Sequence, residues 1–544
     1  MDPDPTDVLN QSPPYEDVDL FGSDRPLQDA VAAHGAEDDG AALAAFGRRW
    51  GSAEMIEQGR LANENPPKLR AYDAKGFRRD IVEFHPAYHR LMGESIGAGL
   101  HAMTWTAEGV RAAAPAEVSR AARYYMAAQI ETGHLCPVTM TRAAVGALHA
   151  APEALARLMP KIASRRYDQN FRPWTEKTGI TIGMGMTEKQ GGTDVRANTT
   201  RAGRAGGHHL VTGHKWFMSA PMCDAFLVLA QAEGGLTCLL LPRFRPDGTV
   251  NALRLLRLKD KLGNRSNASA EVEFDRAYEE RVGEEGRGVR TIIEMVQLTR
   301  IDCAIASAGL MRMALAQALH HARHRSVFQK RLADQPMMLA VLADLALQVE
   351  GTVALVMRLC RSFDLAAEDP IEAARARVLT PVVKYWVCKS APGFVYEAME
   401  CLGGNGYVEE SMLPRLYREA PVNAIWEGSG NVMALDVLRA AAREGEAARA
   451  VLERLGAEAG DLPGSAAATK DVARLLAGTD AETRGRAALD RLAVLAAAAA
   501  LKASAPQAIA EGFAASRLGE PHGALYGAAA IDHPEAVLER ALPG

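Results

Sequence analysis

The chain has 544 residues, a hydrophobic content of 48% and a formal net charge of -5. This length exceeds what one hydrophobic core normally serves, so we expect two to four domains. The negative net charge provides no general attraction for phosphate, which argues against a protein whose whole surface binds nucleic acid.

The N-terminus and the cysteines indicate the cellular compartment. Residues 1–24 contain acids but no Lys or Arg, whereas an export signal begins with basic residues and continues into an apolar core. The seven cysteines are odd in number and form no C-x-x-C pair, which favours reduced thiols over disulfides. We therefore expect a cytoplasmic protein in which residues 1–26 form an acidic extension.

Helix-period patterns dominate the next part of the chain. From 27 to 180, apolar residues recur at helical spacing, as in VSRAARYYMAAQIETGHL, and alternating β-branched runs are almost absent. This pattern predicts a helical N-terminal domain. A G-x-G-x-x-A match at Gly97, Gly99 and Ala102 lies in this region, and we interpret it as accidental because no strand precedes it.

The pattern changes near Thr181, where apolar runs such as DAFLVLAQA and LTCLLLPRF are separated by Gly, Pro and Asp. We predict a small β domain over 181–283. At its start, GMGMTEKQGGTD places four glycines and two threonines around Glu188. Glycines let backbone N–H groups approach a ligand, and threonine hydroxyls can donate to ring carbonyls or phosphates. This segment is a candidate cofactor loop, with an ordinary loop as the alternative.

Long helical patterns resume after Gly288 and predict a helix bundle over 284–440. The Ala-rich remainder, 441–544, predicts an appended helical domain. Its most apolar run, Leu492 to Leu501, is roughly half the length needed to cross a bilayer, so we expect a packed helix and no membrane span. Helices followed by strands and then helices disfavour a doubly wound α/β sheet.

Two further groups of residues leave alternatives open. Glu427 is the only charged residue from Pro421 to Leu435, and partial burial would raise the pKa of such a carboxylate towards that of a general base. An isolated Glu is nevertheless usually solvated. His320 and His324 share a helical face, but with no H-E-x-x-H motif and no third ligand we predict no metal site.

The ordered motifs resemble the acyl-CoA dehydrogenase family. MTE-x-x-GG-[ST]-D, K-x-F-x-S, LGGNGY and W-E-G-S-G occur in the order seen in that family, and RLKDKLGNRSNASAEVEF is similar to its AidB-type branch, which is linked to the response to DNA alkylation. The resemblance implies a mainly α fold with a central β domain. It comprises a helical N-terminal domain, a β-barrel middle domain and a four-helix bundle, to which this chain adds its C-terminal helical domain.

The resemblance also implies FAD as the cofactor and a homotetramer, in which some residues reach the FAD of a neighbouring subunit. The residues implied to contact FAD are Met184, Met186, Thr187, Gly192 and Thr193 in the loop, Phe217, Met218 and Ser219 in a strand, Arg325, Gly403 and Gly404 towards the neighbouring subunit, and Ile425, Trp426, Gly428 and Asn431 in a third segment.

Within that third segment, Glu427 stands at the position of the family's catalytic base. Some branches keep the base on an earlier helix beside an Arg, where this chain has Thr299 before Arg300, so Glu427 has no rival. The implied reaction is α,β-dehydrogenation of an acyl-CoA thioester, with isovaleryl-CoA as the first candidate by resemblance. Glu427 removes the α-proton, and FAD accepts the hydride.

The AidB-type resemblance leaves a second hypothesis open, a DNA-associated flavoprotein with weak or vestigial dehydrogenase activity. Arg439 and Arg517 would then contact duplex DNA. Residues 441–544 contain 11 Lys and Arg against 14 Asp and Glu, so the overall charge of this segment does not favour DNA, although an uneven distribution could still present a basic face. A purely structural helical scaffold would leave the cofactor motifs without a purpose.

Overall fold

Residues distant in the sequence associate through buried charges in the computed structural model, which describes residues 6–519, 525–529 and 531–543. Asp24 accepts hydrogen bonds from the hydroxyl of Tyr125 at 2.8 Å and from Nε of Arg312 at 2.9 Å. By its internal contacts the chain divides into two units, each made of segments that are not consecutive in the sequence. The five segments expected from the sequence stay a prediction. The helical unit takes Met1–Ile56, Glu117–Ile130 and Cys303–Gly544, and the barrel unit takes Glu57–Ala116 and Glu131–Asp302.

The barrel unit contains a seven-stranded sheet that closes on itself. The strands of the unit are β1 (Lys68–Tyr72), β2 (Arg78–Glu83), β3 (Ile182–Gly185), β4 (Arg201–Ala205), β5 (His208–Ser219), β6 (Ala225–Ala232), β7 (Gly235–Pro242), β8 (Leu253–Leu258) and β9 (Ser269–Val282), and the helical unit adds β10 (Ser326–Val327) and β11 (Lys330–Arg331). Strand β4 pairs with β5, β5 with β9, β9 with β7, β7 with β6, and β6 returns to β4. This closed circuit confirms the predicted β-barrel.

The apolar runs of the sequence become the most buried strands. In β7, seven of eight residues are buried, as are the first six residues of β6, because strands covered on both faces read as continuous apolar runs. The hairpin of β1 and β2 was not anticipated. Its strands are mostly charged and exposed, and Asp73 holds the turn by accepting the N–H groups of Lys75 and Phe77.

Helices make up most of the remaining described chain. Some begin with residues that favour a helix start: helix α10 (Pro370–Cys401) has Pro370 at its first position, and the carboxylate of Asp369 caps it by accepting the N–H of Ile371 at 2.8 Å. In chain order the helices are α1 (Arg25–Ala33), α2 (Gly40–Trp50), α3 (Ala53–Glu64), α4 (Pro86–Gly97), α5 (Ala116–Ile130), α6 (Leu135–Leu148), α7 (Pro152–Ile162), α8 (Gly288–His324), α9 (Pro336–Leu365), α10 (Pro370–Cys401), α11 (Gly404–Tyr407), α12 (Leu413–Ile425), α13 (Gly430–Arg443), α14 (Gly445–Ala459), α15 (Ser465–Ala477), α16 (Ala481–Ser504), α17 (Gln507–Ala514) and α18 (Pro534–Ala541).

The core of the helical unit is built around α9. Among the described helices, α9 alone is long and apolar enough to cross a membrane, but 83% of its most apolar window is buried inside the protein. It packs against α1, α10, α16 and α18. The run Leu492–Leu501 of α16 is fully buried in this core, so the predicted packed helix is confirmed and the C-terminal helices share one core with the bundle.

Candidate functional site

The candidate cofactor loop of the barrel unit is fixed at its midpoint by a buried ion pair. Nζ of Lys215, on β5, lies 2.8 Å from Oε1 of Glu188, and both side chains are 0% exposed. Lys215 also donates to the carbonyl of Leu229 at 2.8 Å. The other carboxylate oxygen of Glu188 accepts the N–H of Thr199 at 2.7 Å. The loop is thereby connected to β5 and to the chain that enters β4.

The pKa of Glu188 indicates a structural role for this carboxylate. Burial by itself raises the pKa of Glu188, but the hydrogen bond from Lys215 and the N–H of Thr199 outweigh burial and lower the pKa to about 2. The carboxylate is therefore ionised at neutral pH and its oxygens are occupied by protein donors. The sequence placed Glu188 at the centre of a cofactor loop, and the structure makes it the anchor of that loop.

The loop residues around this anchor remain available to a ligand. Met184, Met186, Thr187 and Gly192 are half-buried and Thr193 is exposed. Within the described residues, neither the hydroxyl of Thr187 nor that of Thr193 has a hydrogen-bond partner in the protein. Hydroxyl donors and exposed glycine backbone suit the carbonyl and phosphate acceptors of FAD, so these residues fit that cofactor.

The strand residues assigned to FAD differ in exposure. Phe217 is 51% exposed, although aromatic residues in strands are usually core residues, whereas Met218 is 0% exposed. The pairing of β5 with β9 shifts register between Lys215 and Met218, which accounts for this local change of face. Oγ of Ser219 lies 3.3 Å from Oγ of Ser269. The strand thus presents Phe217 as an exposed ring beside buried Met218.

In the helical unit, Glu427 lies in a strained turn between α12 and α13. Its φ is +59°, and that of Gly428 is +106°. The side chain of Glu427 is half-buried, and Ile425 before it is 66% exposed. The indole N–H of Trp426 donates to the side-chain oxygen of Asn423 at 3.1 Å. Glu427 is therefore presented from a fixed turn and not from a helix.

A buried lysine holds this turn from the side. Lys384, on α10, is 1% exposed, and its ammonium donates to the carbonyl of Trp426 at 2.9 Å and to the carbonyl of Gly428. A Cβ placed on Gly428 would lie 2.7 Å from Cε of Met433. Asn431 is exposed in the first turn of α13. Sequence reasoning missed Lys384, because its acceptors lie more than forty residues away in the chain.

The elements expected to reach a neighbouring subunit meet the N-terminal segment of their own unit. Arg325 donates to the carbonyl of Asn10 at 2.8 Å, and Asn405 donates to the side chain of Gln11 at 3.1 Å. Gly403 and Gly404 before Asn405 are both exposed. Residues 10 and 11 therefore connect the hairpin of β10 and β11 with α11.

A serine, a histidine and a glutamate form a hydrogen-bonded chain that the sequence did not reveal. His134 lies 2.8 Å from Oγ of Ser95 through Nε2 and 2.8 Å from Oε2 of Glu131 through Nδ1. This order resembles a hydrolase triad. Ser95 and His134 are 0% exposed, however, so no substrate reaches the hydroxyl, and Glu131 is also engaged by the N–H of Gly133. These three hydrogen-bonded side chains therefore have a structural role in the barrel unit.

The two histidines considered for a metal bind carbonyl oxygens. Nε2 of His320 lies 2.8 Å from the carbonyl of Pro13, and Nδ1 of His324 lies 2.7 Å from the carbonyl of His320. In the part of the chain that the structure describes, no group of three His, Cys, Asp or Glu residues could hold a metal ion.

The two arginines considered for DNA occupy opposite environments. Arg439 is exposed on α13. Arg517 is 8% exposed and ion-paired with Asp344, whose other carboxylate oxygen accepts the N–H of Gly527 at 2.8 Å. A buried guanidinium committed to a carboxylate cannot neutralise a phosphate. The structure therefore corrects the sequence prediction for Arg517.

Known domain families match three successive parts of the chain. They are the adaptive response protein AidB N-terminal domain over residues 10–169, the acyl-CoA dehydrogenase middle domain over 183–277 and the acyl-CoA dehydrogenase C-terminal domain over 286–442. Over 434 residues, 79% of this chain and 80% of its relative, the chain is 52% identical to the putative acyl-CoA dehydrogenase AidB of Escherichia coli strain K12. The chain belongs to the acyl-CoA dehydrogenase family. Within it, the chain is AidB-like.

Relatives in an animal extend this similarity. Acyl-CoA dehydrogenase family member 11 of Caenorhabditis elegans is 32% identical over 450 residues, which is 78% of this chain and 70% of that protein. The crystal structure of C. elegans ACDH-11 in complex with C11-CoA superposes with a TM-score of 0.85 at 26% identity, covering 96% of this chain and 95% of that chain. The similarity in structure therefore includes helices beyond residue 442, and the predicted family and fold are confirmed.

Proposed function

We propose that this protein is an FAD-dependent acyl-CoA dehydrogenase in which Glu427 is the catalytic base. The observation that carries the proposal is the presentation of Glu427, which projects from a strained turn that Lys384 fixes at both flanking carbonyls. A base must be held in one orientation to remove a weakly acidic proton. The proposed role of Glu427 as a base follows from the membership of the chain in the acyl-CoA dehydrogenase family.

In the proposed reaction, the carboxylate of Glu427 removes the α-proton of an acyl-CoA thioester. FAD, when bound, accepts the β-hydrogen as hydride. The backbone N–H of Glu427 donates to the thioester carbonyl and stabilises the enolate that develops as the proton leaves. Thr187 and Thr193 would donate to acceptors on FAD, because in the part of the chain that the structure describes their hydroxyls have no protein partner.

An acyl-CoA is the proposed substrate, and the acyl chain is decided by experiment. The similar ACDH-11 was solved with C11-CoA, which supports a thioester of medium length. Isovaleryl-CoA remains the short branched candidate from sequence resemblance. The two thioesters differ enough in length for one titration to distinguish them.

The test is an anaerobic titration of the FAD-loaded protein with isovaleryl-CoA and with straight-chain thioesters that include C11-CoA. We expect at least one thioester to bleach the oxidised flavin. Glu427→Gln should retain FAD yet slow bleaching by about 10²–10⁴-fold, because the amide cannot accept the proton. Glu446→Gln, an exposed acid on α14, is the control and should match the wild type. If none of the thioesters bleaches the wild-type flavin, the proposal fails.

A DNA-associated role is the second candidate, and a specific feature of α13 favours it. Arg439 and Arg443 are four residues apart, both are exposed, and among the described residues neither belongs to an ion pair. Two such cations on one helical face can contact adjacent phosphates. In this role the dehydrogenase activity is weak or vestigial, and the property to measure is the affinity for duplex DNA.

We further propose a cytoplasmic homotetramer. Phe328 at the tip of the β10–β11 hairpin is 93% exposed, and Tyr407 at the end of α11 is 79% exposed. Large exposed apolar side chains of this kind favour an interface. Light scattering should give four times the chain mass, and Phe328→Ser should lower that mass. A wild-type monomer would contradict the tetramer.

A further inference from the structure

Lys384 is a buried cation whose described acceptors are both main-chain carbonyls. Its side chain is 1% exposed, and the ammonium donates to the carbonyls of Trp426 and Gly428, which flank Glu427. Among the described residues, no Asp or Glu lies within ion-pair distance of Lys384. Burying a cation without a carboxylate is costly, and an apolar side chain of similar length would avoid that cost. A role in packing alone therefore does not account for a lysine at this position.

The turn that Lys384 contacts does not hold its shape by backbone preference. Glu427 and Gly428 are consecutive residues with positive φ, at +59° and +106°, a region that a residue with a Cβ rarely adopts. Trp426 is the C-cap of α12, and Lys384 donates to its carbonyl and to the carbonyl of Gly428. A cation near that end of the helix also complements the helix dipole. Lys384 therefore stabilises both the turn and the C-terminal end of α12.

We propose that Lys384 is the positioning residue of the base: by holding the carbonyls on both sides of Glu427, it sets the direction in which that carboxylate points. This inference rests on the proposed function, because it concerns the base of that reaction. Lys384 itself transfers no proton, since its hydrogen bonds end on the backbone. Its loss therefore affects the chemical step more than the binding of acyl-CoA.

The test compares three substitutions that separate charge from donor capacity. Lys384→Met removes both at similar length, Lys384→Gln keeps neutral donors, and Lys384→Arg keeps charge and donors. Lys470→Met, at an exposed position on α15, is the control for loss of a lysine. For each protein, FAD content, the Kd for the active thioester from the perturbed flavin spectrum, and the single-turnover rate of flavin reduction are measured.

We expect Lys384→Met to reduce the flavin about 100-fold more slowly, because a small misplacement of a reacting group has an effect of that order. FAD content and Kd should stay within about threefold of wild type, and Lys384→Arg should recover most of the rate. If Lys384→Met does not fold, the comparison of Lys384→Gln with Lys384→Arg decides. The proposal is overturned if the uncharged variant used in the comparison, Lys384→Met or Lys384→Gln, reduces the flavin within about threefold of the wild-type rate. It is also overturned if that variant and Lys384→Arg lose rate equally.

A second measurement does not depend on turnover. Hydrogen–deuterium exchange of the peptide spanning 422–432 should rise in Lys384→Met, while exchange elsewhere matches Lys470→Met. If no thioester reduces the wild-type flavin, the proposed dehydrogenase fails, but this measurement still reports on Lys384. Raised exchange confined to 422–432 supports the proposal that Lys384 holds this turn, and unchanged exchange there overturns it.

Discussion

Lys215 and Glu188 form an ion pair with an Nζ to Oε1 distance of 2.8 Å, and both side chains are completely buried in the barrel unit. Glu188 also accepts the N–H of Thr199, so the pair connects the cofactor loop with the chain entering β4. A buried pair adds little over an apolar pair of similar volume, but losing one member leaves the other charge without compensation. The loop therefore depends on both partners being present.

Glu188→Gln should lower the free energy of unfolding by about 3–5 kcal/mol, because Lys215 stays buried after losing the carboxylate with which it forms its ion pair. FAD content should fall with it, since the loop loses its anchor. Urea unfolding and flavin absorbance measure the two effects. The double variant Glu188→Leu with Lys215→Met should be more stable than Glu188→Gln, and Glu284→Gln on the surface should match the wild type. Equal urea midpoints for Glu188→Gln and wild type would show that the pair does not stabilise the fold.

The same carboxylate gives a pH dependence of known sign. In the folded protein the pKa of Glu188 is lowered to about 2, against about 4.3 in an unfolded chain. Its contribution to stability is therefore complete above the unfolded pKa and is lost as pH falls from about 5 towards about 2. The stability difference between wild type and Glu188→Gln should shrink over this interval. Urea unfolding at a series of pH values measures it, and a difference that grew on acidification would contradict the assignment.

The sequence predicted those elements whose cause is local. The apolar runs DAFLVLAQA and LTCLLLPRF became β6 and β7, and the Ala-rich run Leu492–Leu501 became a buried helix. The hairpin of β1 and β2 escaped prediction because both strands are short and rich in charged residues, and β2 has no regular apolar alternation. Local pattern thus determines much of the secondary structure but little of the association between distant segments.

The candidate site shows the same limit. Glu427 could be singled out because it is the only charge in an apolar segment, and the ordered motifs gave it a role. Lys384 could not, since its hydrogen bonds to Trp426 and Gly428 depend on how α10 packs beside the turn. Arg517 was misjudged for the complementary reason, because its partner Asp344 lies 173 residues earlier in the chain.

Gly428→Ala should disturb the base turn through backbone strain. Gly428 has a φ of +106°, and an added Cβ would meet Cε of Met433 at 2.7 Å and Cγ1 of Val432 at 2.9 Å. We expect a loss of about 1–3 kcal/mol in stability together with slower flavin reduction. Gly445→Ala is the matched control, since nothing lies within 4 Å of its added Cβ. Thermal unfolding and single-turnover reduction measure the effects, and equal results for both variants would argue against strain in the turn.

Arg439 and Arg517 should respond differently in a DNA-binding assay, because one guanidinium is exposed on α13 and the other is buried against Asp344. Removing Arg439 together with Arg443 should weaken duplex binding and reduce the slope of log affinity against log salt by about one unit for each phosphate that is no longer neutralised. Arg517→Met should leave that slope unchanged and lower thermal stability, since it leaves Asp344 buried and unpaired. Arg474→Ala, at an exposed arginine on α15, controls for the loss of any surface cation. An affinity that does not depend on salt in the wild type would remove the DNA-associated role, and a lower salt slope in Arg517→Met would show that its guanidinium reaches the duplex after all.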